Sequence, residues 1–183
     1  MTINSLSSRL PEWVKARPAN PEEVRKIKLL LRKERLNTVC EAARCPNMGE
    51  CFGRSTATFL IMGGSCTRNC GFCSVSHDVP APLDPDEPRR IAEAAGKLKL
   101  RHAVITSVTR DDLPDGGAVH FRACIKEIRH LESSPTIEVL TPDFQGNPEA
   151  IKTIVEAAPD IFNHNLETVP RLYPQVRPQA DFQ

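Results

Sequence analysis

Six of the seven cysteines in this chain of 183 residues fall into two groups of three. The spacing C-x3-C-x2-C is formed by Cys66, Cys70 and Cys73, and C-x4-C-x5-C by Cys40, Cys45 and Cys51. Thiols clustered this tightly in a reducing compartment are more typical of metal ligands or catalytic groups than of disulfides. Thiolates are also the usual protein ligands of iron–sulfur clusters. The pattern therefore predicts two cluster sites.

The first triad, Cys66/Cys70/Cys73, predicts catalysis rather than simple electron transfer. Three thiolates leave one iron of a four-iron cluster without a protein ligand, and an enzyme can use that open position to bind a small molecule. Structural zinc prefers four ligands, often in two close pairs, and here only Cys70 and Cys73 form a C-x2-C pair. With His77 as a fourth ligand, a non-catalytic, zinc-stabilised binding module remains the alternative.

The overall composition adds few constraints on function. Charged residues make up 26% of the chain and the net charge is +1, so no basic excess points to nucleic acid or an anionic membrane. No apolar run approaches the ~20 residues that span a bilayer, and residues 1–20 lack the apolar core of a secretory signal. We expect a cytoplasmic protein of bacterial type that binds neither nucleic acid nor membrane.

The elements that must position the first triad alternate along the chain. Strands are predicted over residues 57–62, 102–108, 136–140 and 160–165, and helices from Pro21 and over about 87–99, 117–131 and 148–157. Residues 40–51 show no clear period and are predicted to form an ordered loop. Mostly apolar strands that alternate with amphipathic helices indicate parallel βα units with helices covering the sheet.

Each predicted strand ends in small or polar residues, and the first triad follows the first of these strands. In βα architectures the site lies at the carboxyl ends of the strands, so these ends are expected to face one pocket. Four such strands make about half of a closed barrel. The predicted fold is α/β, a partial TIM-like barrel of parallel strands over residues 55–183, with an N-terminal extension over residues 1–54 that carries the second triad.

The loop Cys66–Cys73 resembles the cluster loop of the radical SAM superfamily. The resemblance implies a [4Fe-4S] cluster whose open iron is chelated by S-adenosylmethionine. It also implies electron transfer into the sulfonium, which releases methionine and a 5′-deoxyadenosyl radical. Phe72 stands where the superfamily usually has an aromatic residue, which would pack near the adenine; a hydrophobic plug beside the cluster is an equally good interpretation.

The second triad and several later stretches resemble the lipoyl synthase family. They are residues 38–47 (TVCEAARCPN), 106–117 (TSVTRDDLPDGG), 137–146 (IEVLTPDFQG) and 163–178 (NHNLETVPRLYPQVRP). The resemblance implies a sulfurtransferase of lipoate biosynthesis. Such an enzyme inserts two sulfur atoms at carbons 6 and 8 of an octanoyl-lysine, and a second, sacrificial [4Fe-4S] cluster on Cys40, Cys45 and Cys51 donates the sulfur.

The implied partners are an octanoylated carrier, such as a glycine cleavage H protein or a 2-oxoacid dehydrogenase E2 domain, and an electron donor such as ferredoxin or flavodoxin. Six side chains at the strand ends are candidates to bind S-adenosylmethionine: Thr106, Ser107, Asp112, Asn163, Asn165 and Glu167. His164 alternates with the two asparagines and is expected to face a helix interface. Cys124 lies on an apolar helix face and is expected to be a buried structural thiol.

One feature of the resemblance is missing from these 183 residues. In lipoyl synthases the fourth ligand of the second cluster is a serine in an Arg-Ser-Ser-Tyr motif, and neither that motif nor the later barrel strands occur here. We therefore expect part of a longer enzyme, or of a split one, that alone binds the first cluster poorly and turns over weakly or not at all. The alternative within the superfamily is an enzyme of other specificity whose second cluster transfers electrons.

Overall fold

A five-stranded sheet whose strand order follows the chain organises the structure, a computed structural model that describes residues 20–42 and 45–183. The strands are β1 (Asn37–Thr38), β2 (Thr56–Ile61), β3 (His102–Ser107), β4 (Thr136–Thr141) and β5 (Ile161–His164). Neighbours from β2 to β5 are parallel, and β1 pairs antiparallel with β2. Sequential parallel strands joined by helices are the topology of a TIM-like barrel, so the predicted α/β partial barrel is confirmed.

Seven helices surround this sheet in the described part of the chain. They are α1 (Pro21–Lys33), α2 (Val39–Ala42), α3 (Met48–Gly53), α4 (Glu87–Lys97), α5 (Ala118–Arg129), α6 (Pro148–Glu156) and α7 (Tyr173–Val176). Helices α4, α5 and α6 connect successive parallel strands and pack against one another. Within residues 20–42 and 45–183, no helix has the length and apolar character that crossing a membrane requires.

Two asparagines define the starts of α1 and α6, as their positions before proline predict. The side-chain oxygen of Asn20 accepts the N–H of Glu22 at 3.0 Å. That of Asn147 accepts the N–H groups of Glu149 and Ala150 at 3.0 and 3.3 Å. These bonds satisfy first-turn donors that have no partner within the helix, and proline loses nothing at the first helical position.

The predicted ordered loop over residues 40–51 is wrong, because α2 and α3 lie within or across that range. The two helices have four and six residues. Segments of one or two turns are too short to show a 3.6-residue period, and so the sequence pattern misses them. The strand β1 has only two residues and is missed by the sequence pattern for the same reason.

The core lies between the helices and one face of the sheet. Alternate residues of the central strands, such as Ile105 and Val139, are fully buried there, as are Phe121 and Cys124 of α5. The opposite face is less covered, and all four residues of the last strand, β5, are exposed. Cys124 is therefore a buried thiol in the core, as its helix position predicts.

Gly117 is required where the chain enters α5. Its φ is +90°, which L side chains rarely adopt, and a Cβ there would collide with the Sδ of buried Met62. We predict that Gly117→Ala lowers the free energy of unfolding by about 2–4 kcal/mol, since backbone strain and overpacking add. Gly146 has a φ of +71° with open space around it, so Gly146→Ala is the control and should cost only about 1–2 kcal/mol. Equal losses in urea unfolding would contradict the steric argument.

Candidate functional site

The first cysteine triad occupies a loop that leaves the carboxyl end of β2 and returns to its own start. The N–H of Cys66 donates to the carbonyl of Ser76 at 2.8 Å, and the N–H of Cys73 donates to that of Cys70 at 3.1 Å. Burial raises the pKa of the Cys70 thiol; the Arg177 guanidinium opposes this shift, and the neighbouring Cys66 and Cys73 add to it. All three thiols lie on this one closed loop.

Backbone donors converge on the sulfur of Cys66. The N–H of Arg68 lies 3.4 Å and that of Thr109 3.3 Å from this Sγ. N–H groups directed at a cysteine sulfur stabilise its thiolate form and are a regular feature of iron–sulfur sites. With three thiols on one loop, the donor set fits an iron–sulfur cluster with thiolate ligands.

Arg68 anchors this loop to two strand ends. Its guanidinium is 3% exposed and donates to Asp111 at 2.7 and 3.0 Å and to Asp143 at 2.6 and 2.7 Å. Asp111 follows β3 and Asp143 follows β4, so one side chain connects three loops. Burial acts to raise the pKa of the Asp143 carboxyl, but hydrogen bonds from Arg68 and from the N–H of Gln145, with the charge of Arg68, hold this pKa below its usual range.

The second triad lies beside the same strand, β2. Cys40, in α2, is buried, and burial raises the pKa of its thiol; a hydrogen bond with Thr58 of β2 opposes the shift, and Cys45 and Cys51 add to it. The N–H of Cys45 donates to the carbonyl of Cys40 at 3.0 Å. This bond joins two members of the second triad through the backbone. Thr58 lies three residues before Ile61, so about 10 Å of strand separates it from the strand end that leads to the first triad.

Neither triad is arranged around a single point. Among residues 20–42 and 45–183, no group of three or more His, Cys, Asp or Glu side chains could hold one metal ion. The zinc site that the first triad left open, with His77 as fourth ligand, is not formed by these side chains. In an iron–sulfur cluster each thiolate binds a separate iron, so its ligands need not converge on one point.

The carboxyl ends of β3, β4 and β5 enclose a small cavity of 130 Å³. Its lining includes Ser107, His164, Asn165, Glu167 and Arg177. A larger cavity of 810 Å³ lies beside it, and the two share part of their lining. The volume of the larger cavity is in the range of pockets that bind small molecules. The small cavity thus lies at the strand ends, where the βα pattern predicts a pocket, and the larger one extends from it between β5 and residues 178–183.

The polar groups of the small cavity include two without partners. The Oγ of Ser107 and the Nε of Arg177 are buried, and neither has a hydrogen-bond partner among the described residues. A buried donor without a partner is costly, and a bound polar ligand is one way to satisfy it. The other guanidinium end of Arg177 donates to the carbonyl of Asn165 at 2.7 Å, which fixes the side chain in place.

The six predicted ligand contacts are divided by the structure. Ser107, Asn165 and Glu167 line the small cavity, as does Thr106, although the Thr106 hydroxyl donates to the carbonyl of Leu140 at 2.9 Å. The other two side chains lie outside its lining. Asp112 forms an ion pair with Arg110 at 2.8 Å, and Asn163 donates to Glu138 at 2.6 Å. Both Asp112 and Asn163 thus already have protein partners.

His164 is placed differently from the expectation for it, whereas both interpretations of Phe72 stay predictions. The Phe72 side chain is 53% exposed on the first-triad loop. His164 does not face a helix interface: it lines both cavities, and its Nδ1 lies 2.8 Å from the carbonyl of Thr141. Since no helix covers β5 in the described part of the chain, a residue expected to face inward towards helices faces the cavity side instead.

Four residues of the site, Arg68, Asp111, Asp143 and Arg177, are not indicated by the sequence patterns. Their contacts join positions far apart in the chain, which no local pattern displays. A signal was nevertheless present for the first three. An arginine lies between two triad cysteines, and an aspartate follows each of the strands β3 and β4.

Comparison with known proteins identifies one family over most of the chain. The model of the Radical SAM superfamily matches residues 60–183. The chain is 60% identical over 177 residues to lipoyl synthase of Caldanaerobacter subterraneus subsp. tengcongensis, which covers 97% of this chain and 62% of that relative. Lipoyl synthases of Alkaliphilus metalliredigens and Methylococcus capsulatus are 53% and 55% identical, covering 95% of this chain and 60% and 54% of their own length. The chain thus spans a little over half the length of these relatives.

Proposed function

The chain belongs to the radical SAM superfamily, and we propose that it is the cluster-bearing part of a lipoyl synthase. The reaction is the insertion of two sulfur atoms at carbons 6 and 8 of an octanoyl chain carried as an amide on a lysine. The observation that carries this proposal is the pair of cysteine triads beside β2, in a chain 53–60% identical to three lipoyl synthases. In this proposal residues 55–183 form the catalytic half-barrel and residues 1–54 the extension that carries the second triad.

Cys66, Cys70 and Cys73 are the proposed ligands of the first [4Fe-4S] cluster. When bound, this cluster supplies the electron that cleaves S-adenosylmethionine, and three thiolates leave one iron free for that cosubstrate. The protein contributes position: the loop is closed at Ser76 and anchored by Arg68 to the ends of two strands. Such anchoring keeps the reacting groups in one geometry, which matters more here than acid–base groups because an unactivated C–H bond reacts by radical chemistry.

Cys40, Cys45 and Cys51 are the proposed ligands of the second cluster, which is consumed as the sulfur source. Sulfide for a carbon radical has to be close, oriented and shielded from water. Burial of Cys40 and its hydrogen bond with Thr58 support a shielded position against the sheet. In the relatives' family a serine completes this site, in a segment outside these 183 residues.

The small cavity at the strand ends, together with the larger cavity that adjoins it, is the proposed site of S-adenosylmethionine. This ligand carries an amino acid group, a ribose and an adenine, which together offer several donors and acceptors. The unpartnered groups of Ser107 and Arg177, with Asn165 and Glu167 beside them, are suited to its polar groups. Arg177 is the proposed partner of the carboxylate, because guanidinium binds carboxylates in a two-pronged geometry. Phe72, exposed on the cluster loop, is available to contact the adenine.

The proposed macromolecular partners follow from the reaction. The octanoyl group is presented by a lipoyl carrier, either a glycine cleavage H protein or the E2 domain of a 2-oxoacid dehydrogenase. A ferredoxin or flavodoxin supplies the electrons. We place the reaction in the cytoplasm, because free cysteines that bind clusters persist where thiols are kept reduced and the three relatives are bacterial enzymes.

Anaerobic reconstitution with ³⁴S-sulfide, followed by S-adenosylmethionine, a reductant and an octanoylated H protein, tests the proposed function. We expect ³⁴S in the octanoyl product, with two 5′-deoxyadenosines formed for each pair of sulfur atoms. Residues 1–183 alone are expected to give weak turnover, because the remaining segment of the relatives supplies a cluster ligand. Cleavage of S-adenosylmethionine with no sulfur in the carrier and no loss of cluster sulfide would instead favour an electron-transfer role for the second triad.

A further inference from the structure

Arg68 lies at the centre of a buried ion-pair cluster beside the first triad. Four charge-assisted hydrogen bonds at 2.6–3.0 Å join its guanidinium to Asp111 and Asp143. The arginine is almost fully buried, and its position in the chain is two residues from Cys66 and two from Cys70. Two bidentate pairs on one guanidinium fix both its position and its plane.

A second set of contacts transmits this position to the Cys66 sulfur. Thr67 N–H and Oγ1 donate to the carbonyl of Thr109 at 3.1 and 3.0 Å, and Thr67 Oγ1 accepts the N–H of Asp111 at 3.1 Å. The segment 109–111 follows β3 outside any regular element. These bonds and the Arg68–Asp111 pair therefore hold the Thr109 N–H at 3.3 Å from the Cys66 sulfur.

We propose that Arg68 is a positioning residue that holds two backbone N–H donors, its own and that of Thr109, on the Cys66 sulfur and thereby sets the reduction potential of the first cluster. This inference rests on the proposed function, since it requires the first triad to bind a cluster. N–H donors to a cluster sulfur stabilise the reduced, more negative state and raise its potential. Releasing the donors therefore lowers the potential, so that an external electron donor reduces the cluster less readily.

Charge and geometry make different predictions here. If only the positive charge of Arg68 mattered, lysine would replace it, because lysine carries the same charge. A lysine ammonium is a point charge without the planar fork, and it cannot form two bidentate pairs at once. In the positioning account, Arg68→Lys therefore resembles Arg68→Gln rather than the wild type.

Thr67→Val provides an independent variant that keeps the charges. It preserves the shape of the side chain and removes the hydroxyl that connects the carbonyl of Thr109 with the N–H of Asp111. The matched control is His120→Gln, which breaks another buried pair, His120 with Glu87 at 2.7 Å, on the helices α4 and α5. If a loss of stability alone shifted the midpoint potential, the control variant would shift it as well. If the cause is the loss of the donors to Cys66, the control variant leaves the potential unchanged.

The experiment is an EPR-monitored redox titration of the reconstituted chain, following the cluster signal that changes when S-adenosylmethionine is added. We expect Arg68→Lys, Arg68→Gln and Thr67→Val each to shift the midpoint potential to more negative values, and His120→Gln to leave it unchanged. If the Arg68 variants assemble no cluster, the inference is tested on Thr67→Val alone, which should have a midpoint potential more negative than that of the wild type.

Three outcomes overturn the inference. A wild-type potential in Thr67→Val shows that the Thr109 donor is not held by these contacts. A wild-type potential in Arg68→Lys with a lowered one in Arg68→Gln assigns the effect to charge instead of geometry. If the wild-type chain assembles the cluster and all variants keep its potential, the inference is refuted and the proposed function stays intact. If the wild-type chain binds no cluster at the first triad, both are refuted.

Discussion

Cys70→Ala is expected to reduce reductive cleavage of S-adenosylmethionine by at least about 100-fold. Loss of an outer-shell partner of a metal site costs about 10–100-fold, and loss of a ligand exceeds that because one iron is left without its thiolate. Cys70 lies centrally in the first triad, where both neighbouring thiols influence its pKa. The assay is formation of 5′-deoxyadenosine under anaerobic conditions, with iron bound per chain measured on the same samples.

Cys124→Ala is the matched control for that substitution. It also removes a cysteine sulfur, but Cys124 is fully buried in α5 and is not a proposed cluster ligand. Burial raises the pKa of its thiol. We expect it to retain wild-type cleavage while lowering the free energy of unfolding by about 1 kcal/mol, because it opens a small cavity. Equal loss of cleavage in the two variants would show that the chain is sensitive to any cysteine substitution and would contradict a specific role of Cys70.

Cys45→Ala is expected to separate the two halves of the reaction. Formation of 5′-deoxyadenosine should stay within about threefold of wild type, because the first triad and its anchors are unchanged, whereas sulfur in the octanoyl product should fall at least about 100-fold. The backbone bond from the Cys45 N–H to the carbonyl of Cys40 survives the substitution, so the local fold persists. The measurement is mass spectrometry of the carrier peptide under single-turnover conditions.

The counterpart to Cys45→Ala is Cys70→Ala assayed for the same product. Since a carbon radical precedes the need for sulfur, Cys70→Ala should lose both 5′-deoxyadenosine and the product. If Cys45→Ala kept sulfur insertion, the second triad could not be the sulfur source. If it lost cleavage as well, the triad would be needed for electron delivery, which is the alternative role left open by the sequence.

Much of the fold could be predicted because its signals are local. The strands β2 to β5 are short apolar runs, and Asn20 and Asn147 stand directly before a proline at the start of a helix. The two-residue β1 and the short α2 and α3 give no such signal, since their formation depends on packing against β2.

The cysteine spacing predicted the triads, but the surroundings of the site could not be predicted in the same way. Arg68 pairs with residues 43 and 75 positions away, and contacts of that range follow from the assembled sheet. In βα folds the site lies at the carboxyl ends of the strands. This rule predicted a shared pocket, and Ser107, Asn165 and Glu167 do line the small cavity there. The rule identifies an edge of the sheet without giving the direction of each side chain, so it also selected Asp112 and Asn163, whose side chains bind protein partners.

Mössbauer spectroscopy of the chain reconstituted with ⁵⁷Fe under anaerobic conditions tests most directly that the six thiols are divided three and three. Two fully occupied cubane clusters correspond to about eight irons per chain, and at lower occupancy the bound iron is still all in four-iron clusters. Substituting the cysteines of either triad by alanine should remove about half of that iron and leave the other cluster's signal intact. Zinc in place of iron, disulfides among the six cysteines, or loss of all iron from either triad variant would contradict the account.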